Sequence, residues 1–203
     1  MRRTALSIRS ATTESGFAPG DPWGMLPAMN PPDLNQIRAA VAQDPRNAEL
    51  RYLLGAELAQ QKDYSAAVAE MNAALELDPG LHFARFQLGL LYLTMAQPDN
   101  SLATWAPLES LDESAALKYF KRGLEALIRD DFDRCIGLLR QGIHLNTQNA
   151  PLNRDMSMVI DNVRTALVPP ADAVTVEPAA EGRSAEIVRT DFSLYVDPSD
   201  TKH

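Results

Sequence analysis

Apolar residues in the middle of the chain recur at intervals of three and four positions, which is the spacing of amphipathic α-helices. This pattern extends from about residue 32 to about residue 168. One segment, 82–96, is apolar almost all round, and such a helix is normally buried on all sides. We therefore predict an all-α fold of about eight helices between residues 32 and 168.

A fixed period runs through the same region, and it is set by three equally spaced glycines. Twelve residues after each glycine comes a small side chain, as expected where two helices of one unit cross closely. The glycines are Gly55, Gly89 and Gly123, and the small residues are Ala67, Ser101 and Cys135. Pro45 and Pro79 have the same separation, and each follows an aspartate. A glycine inside a helix costs about 1 kcal/mol relative to alanine, so the recurrence predicts tight helix crossings.

The segment 48–81 contains Leu-Gly-x-x-Leu, Asp-Tyr-Ser-Ala-Ala and a closing Ala-Leu-Glu-Leu-Asp-Pro. It closely resembles the tetratricopeptide repeat, whose helix–turn–helix unit has the same period. The resemblance covers a half repeat, three repeats and a final helix. These are residues 32–47, 48–81, 82–115, 116–149 and 150–168. It implies a right-handed superhelical solenoid of helix–turn–helix units with a C-terminal capping helix.

Five positions depart from the family pattern. Ser101 and Leu108 stand where alanine is usual. Arg122 replaces a leucine, Thr147 replaces the closing proline, and Pro107 falls inside a second helix. Because proline lacks an amide proton and clashes one turn back, we expect this helix to kink or stop near Trp105, with a turn through 108–112. The break is interpreted either as a harmless kink or as the opening of a pocket beside Trp105.

The final helix, near 150–167, has the pattern of a cap with one apolar and one polar face. The side chains expected to face inward are Met156, Val159, Ile160 and Val163. Those expected to face outward are Asp155, Asp161, Asn162 and Arg164.

The chain has 19 Lys and Arg against 27 Asp and Glu, a net charge of −8. This acidic balance disfavours nucleic acid as a partner, and no apolar run is long enough to span a membrane. Residues 1–31 are rich in proline and glycine, which predicts a disordered leader, and Arg9 interrupts the apolar run that a signal peptide needs. Residues 169–203 predict an acidic flexible tail, in which 192–196 (Phe-Ser-Leu-Tyr-Val) is the one orderable segment. We expect a cytoplasmic protein.

The residues that could act as catalytic groups or metal ligands do not form a recognisable site. His82, His144 and His203 are far apart, and the spacing typical of zinc sites is missing. Cys135 stands at a predicted helix crossing and is interpreted as an inert core thiol. The acidic residues at 130, 131 and 133 are interpreted as a helix cap with a favourable dipole charge rather than a cation site. We expect no enzyme activity, no metal and no cofactor.

The resemblance also implies which side chains of the first helices project onto the concave face of a solenoid. The partner-binding groove predicted in this way consists of Tyr52, Phe83, Phe86, Leu90, Leu93, Leu117, Phe120, Leu124 and Leu127. The groove residues contributed by the second and third repeats are all apolar, so another molecule or segment is expected to cover them. A partner peptide or helix, the chain's own tail and a second copy of the chain all remain open as occupants.

Two classes of function follow. The first is a non-catalytic protein–protein interaction module, acting as a scaffold, an adaptor or a chaperone-like protein that binds an apolar peptide or helix. The alternative is a regulatory or assembly subunit of an enzyme system, such as a glycosyltransferase or a cell-envelope complex.

Overall fold

The computed structural model describes residues 33–167, which contain eight α-helices, one short 3-10 helix and no strand. The α-helices are α1 Leu34–Gln43, α2 Ala48–Gln60, α3 Tyr64–Leu77, α4 His82–Thr94, α5 Pro98–Trp105, α6 Ala116–Ile128, α7 Phe132–Leu145 and α8 Ala150–Leu167. Each helix packs against its neighbours in the chain, so the predicted all-α class and the number of helices are confirmed. The leader 1–31 and the tail 169–203, including the segment 192–196, lie outside the described residues.

The period of the glycines recurs in the backbone. Lys62, Ala96 and Asp130 follow α2, α4 and α6, and their φ angles are 62°, 57° and 58°. After each of them, the next amide donates to a carbonyl five residues earlier, at 2.9 to 3.0 Å. This left-handed helix ending is a known way to satisfy the last carbonyls of a helix. The same turn therefore links the two helices of three successive pairs.

Ala96→Gly is expected to stabilise the protein by about 1 kcal/mol, because alanine is strained in the left-handed conformation and glycine is not. Chemical denaturation would measure the change. The matched control is Ala103→Gly, at an exposed position inside α5, which should destabilise by a similar amount. Equal effects of the two substitutions would contradict the strain assigned to Ala96.

Side-chain caps begin several of the helices. The Oδ1 atom of Asn47 accepts from the amide of Leu50 at 3.0 Å, and that of Asn149 accepts from the amide of Leu152 at 3.0 Å. Each asparagine stands immediately before its helix, where an N-cap oxygen satisfies an amide that has no partner inside the helix.

The periodic glycines lie at close helix crossings, as predicted. A Cβ atom built on Gly55 would lie 2.7 Å from Cγ of Met71, and one on Gly123 would lie 2.6 Å from Cδ2 of Leu139. At Gly89 it would overlap the indole of Trp105, with Cδ1 2.6 Å away. The small residues Ala67, Ser101 and Cys135 are fully buried at the crossings. However, the large side chains four residues further along contact the glycines most closely, which the sequence pattern did not predict.

The break caused by Pro107 falls where it was predicted. Helix α5 ends at Trp105 and a 3-10 helix, Ala106–Ser110, follows. The indole of Trp105 is fully buried, stacks on Phe86 at 5.9 Å and donates from Nε1 to the Phe86 carbonyl at 2.9 Å. The space beside the indole is therefore filled, and the alternative of an open pocket there is wrong.

Two hydrophobic clusters form the core of the described residues, and α4 contributes to both. Ala84, Leu88 and Leu91 belong to the cluster built from α1 to α4. The opposite side of α4 belongs to the cluster that extends to α8. Seven of the thirteen residues of α4 are buried, whereas Phe83, Gln87 and Tyr92 are half-buried and His82 is exposed. Burial on all sides, predicted from the apolar pattern of 82–96, is therefore confirmed only in part.

Helix α8 presents its predicted apolar side chains to the second cluster, where Met156, Val159, Ile160 and Val163 are buried. Asp161 and Arg164 are exposed as predicted. Asp155 and Asn162 are half-buried instead of facing outward. Within residues 33–167, no helix has the combination of length and hydropathy needed to cross a bilayer.

Candidate partner-binding surface

Six of the nine side chains predicted to line an apolar groove are buried in the core. Their exposed fractions are at most 4%, and all six belong to the cluster that extends from α4 to α8. They are Phe86, Leu90, Leu93, Phe120, Leu124 and Leu127. The expectation that these side chains form an open strip is therefore corrected.

The burial of these side chains follows from how α4 and α6 meet. The rings of Phe86 and Phe120 lie 6.2 Å apart, so the strips of the two helices contact each other as the repeat period predicted. Leu108, from the 3-10 helix that follows the Pro107 break, and Met156, from α8, join the same cluster with no exposed surface. The strip is continuous, as expected, but it packs within the chain.

Three of the predicted groove residues remain partly accessible, and we call them the edge row: Tyr52, Phe83 and Leu117. The rings of Tyr52 and Phe83 meet edge to face at 6.4 Å, and the Tyr52 hydroxyl donates to Oε1 of Gln87 at 2.6 Å. Phe83 and Leu117 each precede a buried phenylalanine by three residues on the same helix face. Phe83 and Leu117 therefore lie where the buried strip approaches the surface, and Tyr52, which packs against the other cluster, meets Phe83 at this edge.

A charged cluster on α6 was not predicted from the sequence. The side chains of Lys118 and Lys121 are only 8% and 6% exposed. Nζ of Lys118 donates to the carbonyl of Leu111 at 2.7 Å and pairs with Glu113 at 2.7 Å. Nζ of Lys121 pairs with Glu109 at 2.6 Å. The two lysines therefore hold the irregular segment 106–115 against α6.

Arg122 completes this cluster at the position where the family pattern has leucine. Its guanidinium pairs with Glu109 and Glu113, and it lies 5.9 Å from the ring centre of Tyr119. The hydrogen bonds from Arg122 and Lys121 lower the pKa of Glu109 to about 2. The departure at Arg122 was the one sequence signal of this cluster, because a charge where the family pattern has leucine calls for a partner of opposite sign. The Arg122 side chain itself is 29% exposed.

Glu109→Gln is expected to reduce the acid sensitivity of the fold. A carboxylate whose pKa is lower in the folded state stabilises that state above the ordinary value of 4.5, and the stabilisation is lost as the pH falls toward 2. Since Glu109 is 46% exposed, its ion pairs contribute at most about 1 kcal/mol at neutral pH. Urea denaturation at pH 7 and pH 3 should show a smaller loss of stability in the variant than in the wild type. Glu76→Gln, at an exposed end of α3, should leave the difference unchanged.

Cys135 is buried in the core, and the acidic residues before it lie at the start of α7. Burial raises the pKa of the Cys135 thiol to about 12, so it is protonated at neutral pH. Oδ1 of Asp131 accepts from the amide of Arg134 at 3.3 Å, which is the capping role predicted for this acidic turn. No group of three or more His, Cys, Asp and Glu side chains within residues 33–167 is placed to hold a metal ion.

Compared with models of known protein families and with curated proteins, the chain gives no match. Its assignment to the tetratricopeptide repeat family stays a prediction from the repeat pattern of the sequence.

Proposed function

We propose that this protein is a non-catalytic protein–protein interaction module, in which tetratricopeptide-type units stack as a right-handed solenoid. The observation that carries the proposal is the recurrence of one left-handed turn at Lys62, Ala96 and Asp130. Helix pairs of one geometry, repeated along a chain, stack on their neighbours and build an extended surface from equivalent side chains of each unit. Such surfaces typically bind proteins and peptides.

The edge row is the part of the predicted groove that remains accessible to a partner. Tyr52 and Phe83 supply aromatic surface, which is enriched at the centres of protein interfaces. Phe83 and Leu117 border the cluster that contains Phe86 and Phe120, so their positions are set by a packed core rather than by a loop. A peptide or helix with one or two apolar anchors fits a row of this size, whereas a partner that fills the whole predicted strip does not.

The test compares Phe83→Glu with a matched substitution elsewhere. Full-length wild type and variant would be used to capture partners from native lysate, and binding of the identified partner would then be measured with purified proteins. Phe83→Glu is expected to weaken binding by at least about tenfold, since truncating a hot-spot residue of an interface costs about 2 kcal/mol or more, while circular dichroism stays unchanged.

The control is Phe132→Glu, because Phe132 is also a half-buried phenylalanine at the border of the same cluster, but at the start of α7. It should keep wild-type affinity. Equal loss of binding in both variants, or retained binding in Phe83→Glu, would remove the edge row as the partner site.

A further inference from the structure

Arg51 on α2 and Arg85 on α4 occupy equivalent positions, one repeat period apart. Nε of Arg51 donates to the carbonyl of Pro45 at 2.8 Å. Nη2 of Arg85 donates to the carbonyl of Pro79, the equivalent proline, at 3.1 Å. Both side chains therefore reach back from the first turn of their helix to the same place in the preceding loop.

The two arginines differ in whether their charge is balanced. Nη1 of Arg51 pairs with Oε2 of Glu70, on α3, at 2.8 Å. The same period puts Thr104 of α5 where Glu70 stands, and threonine has no carboxylate. Among the described residues, Arg85 has no ion pair and no hydrogen bond besides the one to Pro79. Its Nε atom is buried and has no hydrogen-bond partner.

The surroundings of Arg85 within the described chain do not replace the missing carboxylate. Asp78 precedes Pro79, but its Oδ1 accepts from the amide of Gly80 at 2.8 Å. In the next helix pair the equivalent position is held by Tyr119, which is uncharged and whose hydroxyl donates to Glu113 at 3.1 Å. Of the three equivalent positions, that of Arg85 is the one with a charge and no partner of opposite sign.

Arginine cannot relieve this state by losing its proton, because the guanidinium stays charged in proteins. A buried donor without an acceptor is costly. A water molecule would accept the hydrogen bond but would leave the positive charge without a counterion. A carboxylate supplies both the acceptor and the charge, and it is the group that Arg51 binds one period earlier.

We propose that Arg85 is an anion-binding site between α4 and α5 that takes the carboxylate of a ligand. Arg85 is half-buried, so part of its side chain can be reached from solvent. It lies two residues after Phe83, which is about 200° around the helix, so the site is on another side of α4 from the edge row. A small carboxylic acid and an aspartate or glutamate side chain of a polypeptide both present the required group.

The arginine Nε–H resonances of the full-length protein, followed by NMR while sodium acetate is added at constant ionic strength, test the proposal. The Arg85 signal is expected to shift and saturate, with an affinity at least about tenfold higher than that of the exposed Arg38, since a charge-assisted hydrogen bond to an unsatisfied donor is gained. The Arg51 signal should not move, because Glu70 already supplies its carboxylate. A parallel titration with acetyl-Gly-Glu-Gly-amide separates the two sources. Tighter binding than acetate assigns the ligand to a polypeptide, and equal or weaker binding assigns it to a small acid.

Exchanging the side chains at 70 and 104 provides matched variants. Thr104→Glu should supply the missing carboxylate and abolish the response of Arg85, whereas Glu70→Thr should create the same response at Arg51. Three outcomes would overturn the site: an Arg85 signal that moves with neither probe, an unchanged response in Thr104→Glu, or an equal response of Arg51 in the wild type. If Thr104→Glu fails to fold, Glu70→Thr tests the exchange in the opposite direction, and an Arg51 signal that stays in place there contradicts the proposal.

Discussion

Gly89→Ala is expected to lower the free energy of unfolding by about 3 kcal/mol or more, at the upper end of what overpacking costs in a protein core. The added methyl group would overlap the indole of Trp105. That ring cannot move aside easily, because it stacks on Phe86 and its Nε1 donates to the Phe86 carbonyl. Gly89→Leu, with three more carbon atoms, should prevent folding. Chemical denaturation followed by circular dichroism would measure both variants.

The matched control for Gly89→Ala is Gly137→Ala on α7. A Cβ atom at Gly137 would meet no atom within 4 Å, so the substitution should stabilise the protein by up to about 1 kcal/mol through helix propensity alone. The same chemical change is thus expected to have opposite signs at the two glycines. A Gly89→Ala midpoint equal to that of the wild type would show that α4 and α5 do not cross as closely as the structure indicates.

The glycine crossings show how far the sequence could predict the packing. The spacing of Gly55, Gly89 and Gly123 was sufficient to place three tight crossings, because a glycine repeated inside helices is costly unless a neighbour needs the space. It could not identify Trp105 as the side chain that fills the space at Gly89. That contact depends on the side-chain conformation and on the early end of α5, which are tertiary features.

The predicted groove shows more clearly what the sequence pattern could not predict. Periodicity placed Phe86 and Phe120 on equivalent stripes of α4 and α6, and their rings do meet. However, an apolar stripe has the same composition whether it lines an open groove or lies in a core. Exposure is decided by elements far away in the chain, here the 3-10 helix after Pro107 and the helix α8, whose side chains join the same cluster.

The charged cluster on α6 was missed for a related reason. Glu109 and Glu113 meet Lys118 and Lys121 only because α5 stops at Trp105 and the following segment turns back over α6. The sequence predicted the stop but not the path of the chain after it. Asp155 was expected to face outward from α8 but is half-buried. The burial of this side chain depends on what packs beside α8, which the sequence pattern does not show.

Phe120→Glu is expected to unfold the protein, at a cost of about 4 kcal/mol or more, because it removes a buried ring and places a carboxylate in an apolar core. Phe120 has no exposed surface and lies against Phe86. On α7, a Cβ atom at Gly142 would lie 2.5 Å from the Phe120 ring. The ring therefore fills the space between α4 and α7, and no surface route allows the glutamate to reach water without separating these helices.

The measurements for Phe120→Glu are helicity by circular dichroism and the melting temperature. Phe120→Leu is the control, because leucine keeps an apolar side chain at the same place and should leave the fold intact with a loss of about 1 to 2 kcal/mol. A folded Phe120→Glu with a melting temperature near that of the wild type would mean that the ring can reach solvent. In that case the strip of α4 and α6 would be an accessible groove, and partner binding would have to be sought along its whole length rather than at the edge row.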